Sequence, residues 1–155
     1  MGLRARLDAD LKEALKGGEK LRASAIRMLL AAVQTREVAE DRLGDRREPL
    51  PDPEVLQVIA SSCKQRRDSI EQFGAAGRQD LVAKETAELA IVEAYLPQAL
   101  TPDELRAKVA EAIRATGAST PRDMGKVMSH LMPALVGRAD GKVLSELVRE
   151  ALGTT

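Results

Sequence analysis

The sequence predicts an all-α protein. Apolar residues recur three and four positions apart along most of the chain, β-branched runs of period two are absent, and leucine and alanine dominate the apolar set. Leu3, Leu7, Leu11 and Leu15 make the stripe of a first helix, which Gly17 and Gly18 stop. From Lys20 to about Glu40 a wider face of Leu21, Ala25, Met28, Leu29, Ala32 and Val33 marks a central helix. The run DRLGDRREPLPDP that follows is rich in charge and turn formers and reads as a mobile connection. A third helix is expected from about Pro53 to Phe73 on Val55, Leu56, Ile59, Cys63, Ile70 and Phe73. GAAG at 74–77 breaks it, and a fourth helix follows from about Gln79 to Leu96. Pro97, Pro102 and the N-cap residue Thr101 mark a boundary. Three shorter helices follow, at about 102–116 (closed by Gly117), 121–135 and 141–152. The expected architecture is a four-helix N-terminal domain, residues 1–96, and a three-helix C-terminal domain, residues 97–155.

Charge sets bounds on partners. The 24 basic and 24 acidic residues cancel, so no global field draws the chain to nucleic acid or to an anionic membrane. Residues 1–96 hold 16 basic and 17 acidic side chains and residues 97–155 hold 8 and 7, so any polyanion binding must be local. Cys63 is the one cysteine, which excludes an internal disulfide and gives no support to a thiolate metal site. The N-terminus alternates charge with leucine and lacks the apolar core of a signal peptide, and no run approaches the ~18 apolar residues of a membrane span. Arg6 stands where a myristoylation pattern wants Ser or Thr. A cytoplasmic protein with no membrane partner is expected.

The stretch from Ser119 to Lys142 is the most patterned. Thr120, Pro121 and Asp123 write a helix start. Met124, Met128 and Met132 then recur every four residues, with Leu131 and Leu135 beside them. Gly125 inside this helix costs about 1 kcal/mol relative to alanine, which suggests a close neighbour, either backbone or ligand. Pro133 nears the helix end, and Gly137 opens a tight turn through Arg138, Ala139, Asp140 and Gly141. Lys126, Arg138 and Lys142 therefore fall at the ends of two helices joined by a short loop. The bland alternative is a packed helix pair carrying solvated charges.

Other candidate sites reduce to structure. Glu85 and Glu88 share an apolar face, but a bundle metal site needs Glu-x-x-His pairs and none occurs. Arg27 and Arg67 are the expected partners in structural ion pairs. His130 has no acid or nucleophile near it in sequence, and Cys63 reads as a small hydrophobe. Lys64, Arg66, Arg67 and Arg78 form a dense basic cluster whose default is a solvated face, with Lys64–Asp68 and Arg67–Glu71 pairs available at helical spacing. No phosphate-cradling glycine loop or nucleophile triad can be drawn, and Phe73 and Tyr95 are the only aromatics. No metal and no cofactor is expected, and no catalytic residue is assigned. The residues argue for a helical binding module.

Three stretches carry a resemblance. These are IRMLLAAV at 26–33, KQRRDSIEQFGAAGRQDLVAKETAELAIVEAYLPQAL at 64–100 and DMGKVMSHLMPALVGRADGK at 123–142. Together they resemble the GatB/YqeY family, and closely its small stand-alone YqeY-like members, over essentially the whole chain. The second domain also resembles the tail of GatB, the tRNA-binding subunit of the glutamine-dependent amidotransferase that converts Glu-tRNA(Gln) or Asp-tRNA(Asn). The resemblance implies two helical domains and brings a family label, carbon–nitrogen ligase activity with glutamine as amido-N-donor. The amidase residues of that enzyme belong to another subunit, and the kinase-like cradle of GatB has no counterpart here. The tail motif carries over onto Gly125, Lys126, Met128, Gly137, Arg138, Ala139 and Asp140, with Gly141 standing where the tail more commonly has proline.

The expected function is thus an accessory module that binds tRNA, or a tRNA–amidotransferase assembly, without intrinsic catalysis. Arg122, Gly125, Lys126, Gly137, Arg138 and Lys142 are the candidate contacts. The alternative is a helical protein–protein adaptor that binds no nucleic acid, whose methionine-lined groove or basic third helix takes a partner helix.

Overall fold

The structure is a computed structural model and describes residues 2–39, 49–135 and 138–153. Among these residues there are seven α-helices, one short 3-10 turn and no strand. The helices are α1 (Leu3–Lys16), α2 (Lys20–Ala39), α3 (Asp52–Ala75), α4 (Gln79–Glu93), α5 (Pro102–Thr116), α6 (Met124–Leu135) and α7 (Gly141–Ala151). The 3-10 turn, Pro121–Asp123, leads directly into α6. The chain divides into two units, Met1–Leu96 and Pro97–Thr155. Most of the connection expected to be mobile, residues 40–48, lies outside the described residues.

In the first unit α2 is central and packs against α1, α3 and α4, while α3 and α4 make the most extensive helix pair. Gly18 and Gly77 hold φ of 68° and 73°, the left-handed backbone that closes the α1–α2 and α3–α4 turns. The core gathers Leu7, Ile26, Leu29, Val33, Leu50, Val55, Ile59, Cys63 and Val92. Its stripes differ from those read in the sequence. Leu15 is exposed and Ala14 is buried in its place; on α2, Leu21, Met28 and Ala32 face out while Ala23 and Ile26 turn in. A four-residue step advances a helix by about 400°, so a ladder of fours drifts by about 40° at each rung and leaves the core after three. Alternating steps of three and four stay on it. α4 also stops at Glu93, and Tyr95 and Leu96 close the end through N–H bonds to the carbonyls of Val92 and Glu93.

Several polar contacts among the described residues tie this unit together. The Leu3 N–H donates to Asp52 Oδ1 at 2.9 Å, joining the start of α1 to the start of α3. Glu37, buried in the last turn of α2, accepts from Arg4 Nε at 3.3 Å and from the Leu50 N–H at 3.2 Å. Arg66 on α3 is only 5 % exposed and reaches Glu85 (3.1 Å) and Glu88, itself 3 % exposed, on α4. Neither arginine expected in this role fills it: Arg27 is exposed, and Arg67 pairs with Glu93 near the protein surface, not with Glu71. The reason is phase. Arg66 continues the buried Val55–Ile59–Cys63 stripe, and the next residue lies about 100° around the helix.

The second unit packs α5, α6 and α7 around Leu105, Val109, Val127, Leu131, Leu135, Leu144 and Val148. Thr101 and Glu104 form a reciprocal cap on α5: the Glu104 N–H donates to Thr101 Oγ1 and the Thr101 N–H to Glu104 Oε2. Gly117 ends α5 with a left-handed φ of 69°. The methionine ladder drifts as the leucine ladder does. Met124 and Met128 pack on this core, whereas Met132 is 39 % exposed.

Two measurements probe this frame. Glu88→Ala should cost about 3 kcal/mol in urea unfolding, because it leaves Arg66 buried without its closest carboxylate. Arg66→Met combined with Glu88→Leu should restore most of that loss. Separately, Tyr95 is 9 % exposed and donates to Asp10 Oδ2 at 2.5 Å, and burial first, then this bond, push its pKa up to about 12. The folded state thus favours the neutral phenol. The resulting stability is intact below the usual tyrosine pKa of ~10 and is lost as pH rises toward the folded value. Tyr95 is the single tyrosine, so tyrosinate absorbance should appear late and together with loss of helical signal.

Candidate functional site

The candidate contacts are built on the two ends of α6. At its start Asp123 Oδ2 accepts the N–H groups of Ser119 (3.0 Å) and Thr120 (3.2 Å), which fixes the 3-10 turn in front of the helix. These two bonds, with a smaller contribution from the charge of Lys126, hold the Asp123 carboxyl below its usual range. Arg122, Gly125 and Lys126 are displayed on this turn and the first turn of α6, all exposed. Gly125 has no close neighbour. A Cβ built there meets nothing within 4 Å, so the glycine is not explained by packing against another helix.

At the far end Asp140 caps α7, its Oδ1 accepting the Lys142 N–H at 2.9 Å, and Lys142 projects exposed from the first turn. Arg138 is half-buried and has a structural task. Its Nε donates to the Gln98 carbonyl at 3.2 Å, and its own carbonyl accepts the Leu100 N–H at 3.1 Å, which stitches residues 98–100 to the α6–α7 connection. Gly137 lies outside the described residues. The described candidates therefore divide between the start of α6, with Arg122, Gly125 and Lys126, and the residues beyond its end, Arg138 and Lys142. Lys126 stands in the first turn of α6 and Arg138 beyond its last residue, Leu135, so the stretch of helix from 126 to 135, about 13 Å at 1.5 Å per residue, lies between them.

Arginine pairing differs between the two units, while the described lysines of both, Lys64 and Lys84 as well as Lys126 and Lys142, make no ion pair. In the first unit Arg4, Arg22, Arg66, Arg67 and Arg78 each hold a carboxylate. Among the described residues Arg122, Lys126, Arg138 and Lys142 make no ion pair. In the second unit Arg106 pairs with Asp103, both well exposed. Concave space is small. A cleft of about 260 Å³ lies between α5 and α7, lined by Arg106, Val109, Leu147, Glu150 and Ala151. A second, of about 100 Å³, is bordered by His130, Lys108 and Glu111. Both fall below the ~300 Å³ at which small-molecule pockets begin. No group of three His, Cys, Asp or Glu side chains among the described residues is placed to hold a metal ion. Burial raises the Cys63 thiol pKa, as for a core side chain and not for a nucleophile.

The structure also adds a residue to the ion-pair set, Arg66, which the sequence reading left in the solvated basic cluster. The available signal was its register with Ile59 and Cys63, one spacing of four and one of three.

These features define a small helical protein that exposes charge on short helices and whose clefts among the described residues are shallow. The chain belongs to the YqeY-like family: the family described as Yqey-like protein matches residues 4–152. It is similar to a Saccharomyces cerevisiae protein named Altered inheritance of mitochondria protein 41, mitochondrial, at 33% identity over 100 residues, covering 64% of this chain and 51% of the yeast protein. The protein of that name from Pyrenophora tritici-repentis is 29% identical over 154 residues, covering 96% of this chain and 80% of its own length. That from Eremothecium gossypii is 35% identical over 92 residues, covering 59% and 48%. This chain thus spans about half the length of the yeast relative it matches. The mitochondrial location in the name belongs to those fungal proteins. Among the described residues no helix is long and apolar enough to cross a membrane.

The open environment of Gly125 makes it a clean probe. Gly125→Ala should leave the fold intact and stabilise it by about 0.5–1 kcal/mol, read from thermal or urea unfolding. A loss of stability would mean that a neighbour approaches the position.

Proposed function

We propose that the chain is a tRNA-binding accessory module whose second unit works as the tail of GatB does, holding RNA and leaving amide chemistry to other proteins. The observation that carries this reading is the set of unpaired cations at both ends of α6, in a chain whose first-unit arginines are largely taken up by carboxylates. Two cationic groups at opposite ends of α6, with about 13 Å of helix from Lys126 to Leu135 between them, cannot share one small anion. That separation exceeds the reach of a single phosphate, so the ligand that uses both is an extended polyanion. Membership of the YqeY-like family supports the same choice through the tail motif on Gly125, Lys126, Arg138 and Asp140. With two aromatics in the chain, stacking on unpaired bases contributes little, and recognition rests on phosphates, shape and the 2′-hydroxyls.

The contacts divide by role. Lys126 and Lys142 are exposed and free to meet phosphates, and Arg122 extends the first group. Arg138 both anchors Gln98 and offers its remaining guanidinium N–H groups. Gly125 leaves room for an RNA backbone to approach α6. Four phosphate contacts imply weak binding with a salt slope of roughly −3.

Filter binding with total tRNA, with and without excess duplex DNA, tests the reading. Lys126→Ala with Lys142→Ala should weaken tRNA binding at least tenfold, lower the salt slope by roughly 2 and leave helical circular dichroism unchanged. This pair spares Arg138, whose loss would also disturb the 98–100 segment. Lys64→Ala with Arg67→Ala is the control and should matter less, since Arg67 is engaged with Glu93. Absence of tRNA binding by the wild type at low salt, or a larger effect of the control pair, would replace this reading by a protein–protein adaptor.

A further inference from the structure

We infer that a second copy of this chain docks on the outward face of α2, the two α2 helices running antiparallel about a two-fold axis that passes between Leu29 and Leu30. This goes beyond the RNA reading and does not depend on it. Leu21, Met28 and Val38 are 40, 57 and 57 % exposed, three of the large apolar side chains most open to solvent in the protein. Ser24, Ala31 and Thr35, also exposed, fall between them. The six positions step by three, four, three, four and three residues, the spacing of a coiled-coil seam. At about 100° per residue the seam lies opposite the buried face of Ile26, Leu29 and Val33, so it is no ragged edge of the core.

The face's own side chains carry no charge, although the paired Arg66 of α3 reaches Met28 at its centre. None of the six, nor Ala32 and Ala39 beside them, is ionisable, in a chain where 31% of residues are charged. Lys20 and Arg27 stand along one margin and Arg36 near the other. The Thr35 hydroxyl already donates to the Ala31 carbonyl at 2.9 Å, so its proton is satisfied within the helix. Met28 Sδ lies 3.6 Å from Arg66 Nη2, which places the centre of the face beside the buried Arg66–Glu88 pair.

The order of residues selects a second copy and its direction. Antiparallel pairing about the 29/30 midpoint sets Leu21 against Val38, Ser24 against Thr35 and Met28 against Ala31, each layer occurring twice. Large meets large at the ends, small polar meets small polar, and the longest side chain meets the smallest at the centre. Parallel, in-register pairing would instead crowd Met28 on Met28 and leave a void at Ala31. The antiparallel arrangement also brings Arg27 closest to the neutral Gln34 of the second copy. The seam is about 26 Å long and offers on the order of 500 Å² per copy. A two-fold pair then buries about 1,000 Å², the lower bound of a specific interface and the size of a transient one.

Sedimentation equilibrium on the full chain, loaded from about 5 to about 300 µM to suit an interface of that size, reads the association. The weight-average mass should rise with concentration from 16.7 kDa toward twice that value. Ala31→Glu, at an exposed position, should shift this rise at least tenfold higher in concentration while leaving circular dichroism unchanged. Direction is read by oxidation: Ser24→Cys mixed with Thr35→Cys should form a disulfide-linked pair that neither variant forms alone, since two Ser24 sites would be about 16 Å apart along the axis. Cys63 is buried and does not compete. A wild type that stays at 16.7 kDa across the series, an Ala31→Glu variant that associates unchanged, or Ser24→Cys cross-linking with itself as readily as in the mixture would overturn the proposal.

Discussion

A buried arginine governs the packing of the first unit. Arg66 sits within the contact between α3 and α4, where an unpaired guanidinium would cost several kcal/mol. Glu85 and Glu88 meet it from one turn of α4 and fix the register of the two helices against each other. Met28 of α2 closes the third side, so one ionic group touches three of the four helices. The apolar layers around Ile59, Cys63 and Val92 then pack in the phase this contact allows. Hydrophobic surface alone would tolerate other phases, because leucine, isoleucine and valine give little directional preference.

Arginine pairing differs along the chain. In the first unit arginines are drawn into local pairs such as Arg4–Asp8, Arg22–Glu19 and Arg78–Asp80. Such exposed pairs add little stability, but they cancel the field near the surface. In the second unit the carboxylates nearest the α6 cations are engaged elsewhere. Asp123 accepts backbone N–H groups before α6, and Asp140 caps α7. Both acids are thus turned to helix ends, which leaves Lys126 and Lys142 facing solvent. The caps that start the helices are in this way the reason that cations remain available beside them.

Helix existence was legible in the residues, because it rests on local terms: the 3.6-residue period, good helix formers, the Thr101–Glu104 cap and a glycine such as Gly117 at a helix end. The candidate site was legible in its residue types and in its turn chemistry. Its layout was not. Read as a string, Lys126, Arg138 and Lys142 lie close to one short loop; folded, the length of α6 stands between Lys126 and the other two. The bond from Arg138 to the Gln98 carbonyl spans 40 residues and has no local signature.

By itself the sequence determined the all-helical class, the identity of the cations and the family to which the chain belongs. Those follow from periodicity, composition and motif, each readable without a partner. Tertiary structure alone decided which side of each helix is interior. Leu15, Met28 and Met132 have the chemistry of core residues and lie outside, while Arg66 has the chemistry of surface and lies inside. The physical reason is that four-residue spacing drifts around a helix by about 40° per step, so neighbouring helices, not the string of residues, choose the arc that is buried.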